Sequence, residues 1–308
     1  MSESGDREKI RRTRVLATIL TFEAPESLGR CLAAIGTQSR LPDGILVVDN
    51  GRSLQATFGG LPDFLVSSAQ LMPTGENLGP AGGHAVGLRT FMQQKQFTHA
   101  WVMDDDCVPQ QECLADLVQE AGSGNGQVVF PSWVDGRTGV ATDYPGWCGF
   151  LIDRQAVAAA GLPRSEFFWW AEDTEYLQHR MPRSGVRVSR ARSAVVVHEP
   201  VRRSGGRAPW MIYYEARNSI YYRLRVQRRW PIGPLKLILS LAALFGSAVR
   251  QAPRLRRLIM LGRGVLDGLS GRLGKRVEPG SAWHGQLRRP SVEGDAAKAA
   301  DSRTAERS

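Results

Sequence analysis

The chain has 308 residues, 42% hydrophobic and 23% charged, with a net charge of +10. This length and composition suit a globular protein of one large or two small domains and exclude a disordered or fibrous chain. The basic balance implies an anionic partner: a nucleotide, a nucleic acid or an acidic membrane surface.

The charged segment Met1–Arg14 lacks an apolar core and is not expected to act as a signal peptide. Cys31, Cys107, Cys113 and Cys148 form no C-x-x-C pair, so neither a zinc site nor a disulfide framework is indicated, and a reducing compartment is expected. Val15–Phe22 reads as a buried strand, and Leu28, Cys31, Leu32 and Ile35 recur at helical spacing within Ser27–Gln38. Gly44–Gly51 reads as a second strand, again ending in a carboxylate and turn residues. Together they make a parallel, right-handed βαβ unit whose strand ends carry Thr21, Glu23 and Asp49. By itself, Asp49-Asn50-Gly51 reads as a tight turn.

Leu65–Ser68 is expected as a short third strand. Glu76–Ala85 is rich in glycine and reads as a loop opening a helix over Ala85–Gln94, where backbone N–H groups can approach a phosphate. Its spacing is neither G-x-G-x-x-G nor that of a P-loop. Phe97–Cys107 is then an apolar strand delivering Asp104, Asp105 and Asp106 to a sheet edge. Adjacent carboxylates repel unless a cation sits among them, and oxygen ligands suit Mg²⁺ or Mn²⁺; a solvated acidic turn is the alternative.

A helix over Gln110–Ala121, strands at Val128–Phe130 and Gly146–Ile152, and a short helix Arg154–Ala160 follow. In Phe167–Tyr176, four aromatics abut Glu172, Asp173 and Glu175. These acids could simply complement a helix dipole over Thr174–Arg183, but aromatic walls beside a carboxylate also hold sugar rings and desolvate a base. Gly185–Val188 and Ala194–His198 read as late strands, and a lone His198 at a strand end is more often structural than a ligand. Met211–Arg225 reads as an aromatic, basic helix in which Tyr213, Tyr214, Glu215, Arg217 and Asn218 could face a ligand. Leu235–Val249 is apolar but short of the roughly 20 residues that span a bilayer. With the Arg-rich stretch Arg250–Lys275 it forms a basic amphipathic region suited either to an anionic membrane surface or to packing on the core. Four regions are therefore expected: a charged tail 1–14, a catalytic domain 15–225, a basic helical region 226–276, and a disordered tail 277–308.

The order of these motifs resembles the family 2 inverting glycosyltransferases with a GT-A fold, over roughly Val15–Arg225. It runs Thr-Phe-Glu, Val-Val-Asp-Asn, Glu-Asn-Leu-Gly-Pro-Ala-Gly-Gly, Asp-Asp-Asp, Trp-Ala-Glu-Asp-Thr-Glu-Tyr, Val-His-Glu. Within that family it looks most like the galactofuranosyl- and rhamnosyltransferases of bacterial cell-envelope assembly. The resemblance implies an α/β fold with a Rossmann-like mixed sheet flanked by helices and a C-terminal helical extension. It also implies a metal-dependent hexosyltransferase acting on a UDP- or dTDP-linked sugar and a glycan acceptor linked to polyprenyl diphosphate. Matching positions place Thr21, Glu23, Asp49, Asn77, Gly79, Gly82, Gly83, Asp104 and Asp105 on the donor. They place Asp104, Asp106 and His198 on Mn²⁺ or Mg²⁺, Asp173 as general base beside Glu172, and Trp169 and Trp170 at the acceptor. The implied location is cytoplasmic, peripheral on the inner face of the plasma membrane. The basic loop Arg202–Arg207 and the Met211–Arg225 helix match no donor-specific pattern. A metal-dependent nucleotidyl- or phosphotransferase could use the same acids. A basic nucleic-acid-binding protein would not place an acidic site in its core, so no nucleic-acid partner is expected.

Overall fold

The computed structural model describes residues 12–51, 69–124, 126–199, 207–229 and 231–280. The expected strand Leu65–Ser68, most of the basic Arg202–Arg207 loop, and nearly all of the two terminal tails lie outside them. Met1–Val277 forms one compact unit, and of the second, Glu278–Ser308, only the residues through Gly280 are described.

The strands are β1 (Val15–Thr21), β2 (Gly44–Asp49), β3 (Gln70–Pro73), β4 (His99–Asp104), β5 (Cys107–Pro109), β6 (Val128–Asp135), β7 (Ala141–Thr142), β8 (Cys148–Asp153) and β9 (Val188–His198). They form a nine-stranded sheet in the order β3-β2-β1-β4-β8-β6-β9-β5, with β7 on β6. The β3-β2-β1-β4 half is parallel, and β8 runs antiparallel to β4. The helices are α1 (Pro25–Gly36), α2 (Gly79–Gln93), α3 (Cys113–Gly122), α4 (Arg154–Ala160), α5 (Met181–Arg183), α6 (Pro209–Tyr221), α7 (Ile232–Arg250) and α8 (Arg254–Ser270).

Every residue of β1 is buried, because alternate side chains enter different layers. Leu16 and Leu20 join Leu88, Phe91, Phe150 and Tyr176 on one face of the sheet. Val15, Ala17 and Ile19 join Leu28, Leu32, Ile35, Leu114 and Leu117 on the other. Helices thus cover both faces, as a parallel sheet requires.

Several boundaries differ from the sequence reading. The glycine-rich stretch is not a loop: α2 begins at Gly79, so Gly82 and Gly83 lie inside its first turns. A side chain at Gly83 would meet Leu20 Cδ1 at 2.2 Å, so the glycine lets α2 close onto β1. The two expected late strands are one, β9, whose register with β6 shifts between Pro131 and Ser132. The expected Thr174–Arg183 helix is wider than an α-helix over Thr174–Arg180 before tightening into α5. The apolar helix also extends beyond Leu235–Val249: α7 has 19 residues and is long and apolar enough to cross a membrane, as core helices of soluble proteins also are.

Among the C-terminal helices, Ile212 and Ala216 of α6, Leu244 and Ala248 of α7 and Leu261 of α8 share a small core. The α8–α6 contact is close because a Cβ at Gly264 would stand 2.5 Å from the Tyr213 carbonyl, and one at Gly268 would stand 2.7 Å from that of Arg217. Gly264→Val is therefore expected to destabilise the protein by about 1–3 kcal/mol through overpacking. Gly262, on the same helix, has open space at its Cβ position. Gly262→Ala should be neutral or stabilising by up to about 1 kcal/mol. Denaturant unfolding of the two variants checks this, and equal tolerance would contradict the packing of α8 on α6.

Candidate active site

The chain leaves the centre of the sheet at the end of β4 and re-enters at its edge as β5, so Asp104-Asp105-Asp106 bridges two strand ends. Cys107 on β5 pairs with His198 on β9, while Asp135 of β6 reaches the same His198 from the other side. This register brings His198 Nε2 to 3.2 Å from Asp106 Oδ2, although the two are 92 positions apart in the chain. Burial opposes charge on the imidazole, but the Asp106 hydrogen bond and the Asp106, Asp104 and Asp135 charges outweigh it and raise its pKa.

Asp105 turns the other way and accepts a 2.6 Å hydrogen bond from Thr21 Oγ1 at the end of β1. Burial, resisted by that bond, pushes its pKa up to about 7. Asp49 is 1% exposed and holds the Gly51 N–H, so the β2 end is indeed a tight turn. Glu23, just past β1, adopts a left-handed φ of 49°. Thr21, Glu23, Asp49 and Asp105 thus sit at or just beyond the carboxyl ends of β1, β2 and β4, where nucleotides bind in such sheets.

Asn77 and Gly79 are engaged within the protein. Asn77 Oδ1 accepts from the Gly79 N–H at 2.8 Å, and Asn50 Nδ2 donates to the Gly79 carbonyl at 3.2 Å. Asn50 Oδ1 also accepts the Leu78 N–H at 2.9 Å, so this pair of asparagines stitches the end of β2 to the start of α2. Gly79 has a φ of 68°, and a side chain there would strike the Phe168 carbonyl. Gly82 lines a cleft of about 360 Å³ with Glu76, Arg89, Ser165, Glu166 and Lys275, which includes none of the three aspartates.

His84 is a residue the sequence reading missed. It follows Gly83 in α2, is 3% exposed, stacks on Trp147 with ring centres 4.0 Å apart, and places Nε2 2.9 Å from Asp104 Oδ1. Burial pushes its pKa down to about 3, so it is neutral. The expected Asp104, Asp106 and His198 lie at one end of the sheet and interact electrostatically, but not as a ready-made three-ligand site. Among the described residues no three such groups converge to hold a metal, because the like-charged carboxylates turn apart and each takes its own imidazole. The Asp106–His198 pair still fits two places on a divalent ion. Neighbouring donors at bonds of roughly 2.1 Å lie about 3 Å apart, and an oxygen with an imidazole nitrogen suits Mn²⁺.

Asp173 lies over this turn. Its Oδ1 accepts the Thr174 N–H at 2.5 Å and Oγ1–H at 3.1 Å, while Oδ2 faces Gly146. Burial raises the Asp173 pKa. Burial also raises that of Asp104, aided by Asp106 and Asp173 and opposed by His198. Glu172 is raised by burial and then by Asp173. Its Oε2 and the Trp147 Nε1 are both buried without a hydrogen-bond partner, although the indole dipole favours the ionised carboxylate. The Trp169 and Trp170 rings lie 5.5 Å apart, tilted by 36°, and Trp169 meets Trp210 edge-on at 5.1 Å, giving an aromatic wall whose outer member, Trp170, is 38% exposed.

That wall sits on strained backbone: Phe168, Trp170 and Ala171 have φ of 62°, 76° and 67°, each costing about 1–3 kcal/mol. Arg217 and Asn218 are fully buried beneath it and bond backbone carbonyls rather than facing a ligand. Tyr213 and Tyr214 are likewise engaged, with Asp267 and the Val277 carbonyl.

Residues 17–159 match the profile described as Glycosyl transferase family 2. Over 92 residues the chain is 32% identical to the galactofuranosyltransferase GlfT1 of Mycobacterium tuberculosis, from strains CDC 1551 / Oshkosh and ATCC 25618 / H37Rv. That match covers 30% of this chain and 30% of the relative, so less than a third of its length is spanned. Among solved structures, S. aureus TarS superposes with a TM-score of 0.55 at 13% identity, over 84% of this chain and 49% of the other. The mannosyltransferase PcManGT from Pyrobaculum calidifontis, solved with GDP-Man and Mn²⁺, gives 0.52 at 14% identity, over 84% and 88%. At these identities the structural likeness speaks for the fold. Profile, curated relative and fold agree with the acidic strand-end site: residues 17–159 resemble a family 2 glycosyltransferase domain, and the fold is that of the GT-A glycosyltransferases.

Proposed function

We propose that the chain transfers galactofuranose or rhamnose from a UDP- or dTDP-linked donor to a hydroxyl of a polyprenyl-diphosphate-linked glycan, inverting the anomeric centre. The observation that carries this reading is the gathering of Asp104, Asp106, His198 and Asp173 into one mutually interacting acidic cluster at the strand ends. Galactofuranose is favoured by the curated relative, which bears that activity in its name. Asp173 acts as general base. Thr174 anchors Oδ1, leaving Oδ2 for the acceptor proton, and burial tunes the carboxyl upward towards the pH at which it works. Trp169 and Trp170 form the acceptor wall, Glu172 supports Asp173, and Thr21, Glu23, Asp49 and Asp105 hold the nucleoside. Of the glycine-rich group, Asn77 and Gly79 shape the floor of the donor site and Gly83 seats α2 against β1. Gly82 lines the same cleft as Asn77, on the donor side.

Asp106 and His198 would hold a divalent cation, with Asp104 completing its surroundings once the diphosphate is bound. Such an ion neutralises charge developing on the departing nucleoside diphosphate. Mn²⁺ is favoured over Mg²⁺ by the nitrogen donor and by the Mn²⁺-bound fold neighbour. The protein acts from the cytoplasmic side at an anionic membrane. Ile232, Leu235, Ile238, Leu239 and Phe245 of α7 are all exposed, beside exposed Arg250, Arg254 and Arg256.

Asp173→Asn should lower kcat by about 10²–10⁴-fold while leaving donor affinity within a few fold. Turnover comparable to the parent would refute the base assignment. A second expectation concerns pH. His198, whose pKa is raised by the neighbouring carboxylates, keeps its proton to higher pH than an ordinary imidazole, and that proton competes with a cation. The thermal shift given by Mn²⁺ should therefore be larger at about pH 8 than at about pH 6, and Asp106→Ala should abolish it. An equal shift at both values, surviving in the variant, would place the ion elsewhere. Sedimentation with vesicles tests the membrane face. Binding to anionic but not neutral vesicles, lost in Leu235→Glu/Leu239→Glu, is expected, and unchanged binding by the variant excludes α7 as the contact.

A further inference from the structure

The base-bearing segment Phe167–Asp173 is held from below by α6. Asn218 Nδ2 donates to the carbonyls of Phe167, Trp169 and Trp170 at 2.9, 2.7 and 2.8 Å, its two hydrogens shared among three acceptors. Arg217 Nη2 donates to the Phe167 carbonyl at 2.7 Å, Nη1 to Gly274 at 2.5 Å, and Nε to Asn218 Oδ1 at 2.7 Å, which fixes the orientation of the amide. The guanidinium lies 4.7 Å from the centre of the Tyr214 ring, and both side chains are 0% exposed. The carbonyls they grip flank the residues with left-handed φ, Phe168, Trp170 and Ala171. That conformation is unfavourable for side-chain-bearing residues, so it persists only where surrounding contacts over-determine it.

We propose that Arg217 and Asn218 are positioning residues for transfer: they force Phe168, Trp170 and Ala171 into the left-handed conformation that aims Asp173 at the acceptor hydroxyl and erects the Trp169–Trp170 wall. The clamp also ties the site to the C-terminal region, since Gly274 follows α8 and its N–H bonds the Glu166 carbonyl. The C-terminal helices thus bear on acceptor-side geometry, while the donor-side residues on β1, β2 and β4 stand apart from them. This rests on Asp173 as the base, and the test separates the two.

Asn218→Ala should lower kcat by about 10–100-fold and raise acceptor KM, because a displacement near 1 Å is enough to cost that much, while donor affinity stays within about 2-fold. Glycine adopts positive φ without a clamp, so adding Ala171→Gly should recover at least about 5-fold of the lost kcat, a coupling that general destabilisation would not produce. Hydrogen exchange in the 167–173 segment should quicken in Asn218→Ala, with β1 and β4 unchanged. If Asn218→Ala does not fold, Arg217→Lys, which keeps the charge and loses the fork, carries the same measurements. Quickened exchange with unchanged kcat, or no recovery by Ala171→Gly, overturns the positioning role. Turnover retained in Asp173→Asn overturns the base assignment, whatever the clamp variants do.

Discussion

Repulsion among carboxylates crowded into a poorly solvated space governs this molecule. Asp104, Asp105, Asp106, Glu172 and Asp173 gather at one end of the sheet. Burial raises the proton affinity of Asp104, Asp105, Glu172 and Asp173, and neighbouring charge adds to it in all but Asp173. A cluster of this type is costly unless each acid has a partner. The fold supplies them individually for four of the five, Thr21 for Asp105, His84 for Asp104, His198 for Asp106 and Thr174 for Asp173, and leaves Glu172 Oε2 without one. The cost that remains is the property a catalyst needs, since such a site favours cations and gives a buried carboxylate greater appetite for a proton.

The partners come from distant parts of the chain, and the sheet order delivers them. Because β5 crosses to the far edge beside β9, Asp106 and Asp104 lie at ends of different strands although one residue separates them. Asp106 can therefore meet His198 while Asp104 faces α2. The glycines of α2 matter for the same reason. Gly83 allows the helix to press on Leu20, and that approach sets the next residue, His84, against Asp104 and Trp147. On the other side, α6 and α8 meet through Gly264 and Gly268, and the closeness of that contact places Arg217 and Asn218 under the aromatic wall. One half of the molecule therefore carries Asp104, Asp105 and Asp106 on rigid strand ends. The other holds Trp169, Trp170 and Asp173 on a segment whose backbone is left-handed at Phe168, Trp170 and Ala171.

Much was legible in the sequence where a local rule applies. The strands β1, β2 and β4 are apolar runs closed by carboxylates, and the acidic turn, the tryptophan pair and Asp173 stand out as residue types with no cheap structural use in such company. Less legible were residues whose role depends on what lies opposite them. His84 carried only the weak signal of an imidazole within a glycine-rich helix start. Asn50 passed as a turn residue, yet it secures Leu78 and Gly79. Arg217 and Asn218 suggested ligand contacts because polar side chains on an aromatic helix do so; their targets are backbone carbonyls, which leave no mark in a side-chain pattern. The glycine-rich stretch misled for a related reason. Its glycines serve close helix packing inside α2, and composition alone does not distinguish that from a phosphate-binding loop.

By itself, the sequence determined the alternation of strands and helices, the carboxylate-terminated strand ends and the order of motifs marking a GT-A glycosyltransferase, since these follow from periodicity and residue chemistry along a short stretch of chain. Tertiary structure alone decided which imidazole meets which aspartate, where Gly82 and Gly83 point, and how Arg217 and Asn218 of α6 bond the carbonyls of the Phe167–Trp170 segment. Those outcomes depend on strand order, register and ångström-scale approach between elements far apart in the chain, and local sequence encodes none of these distances.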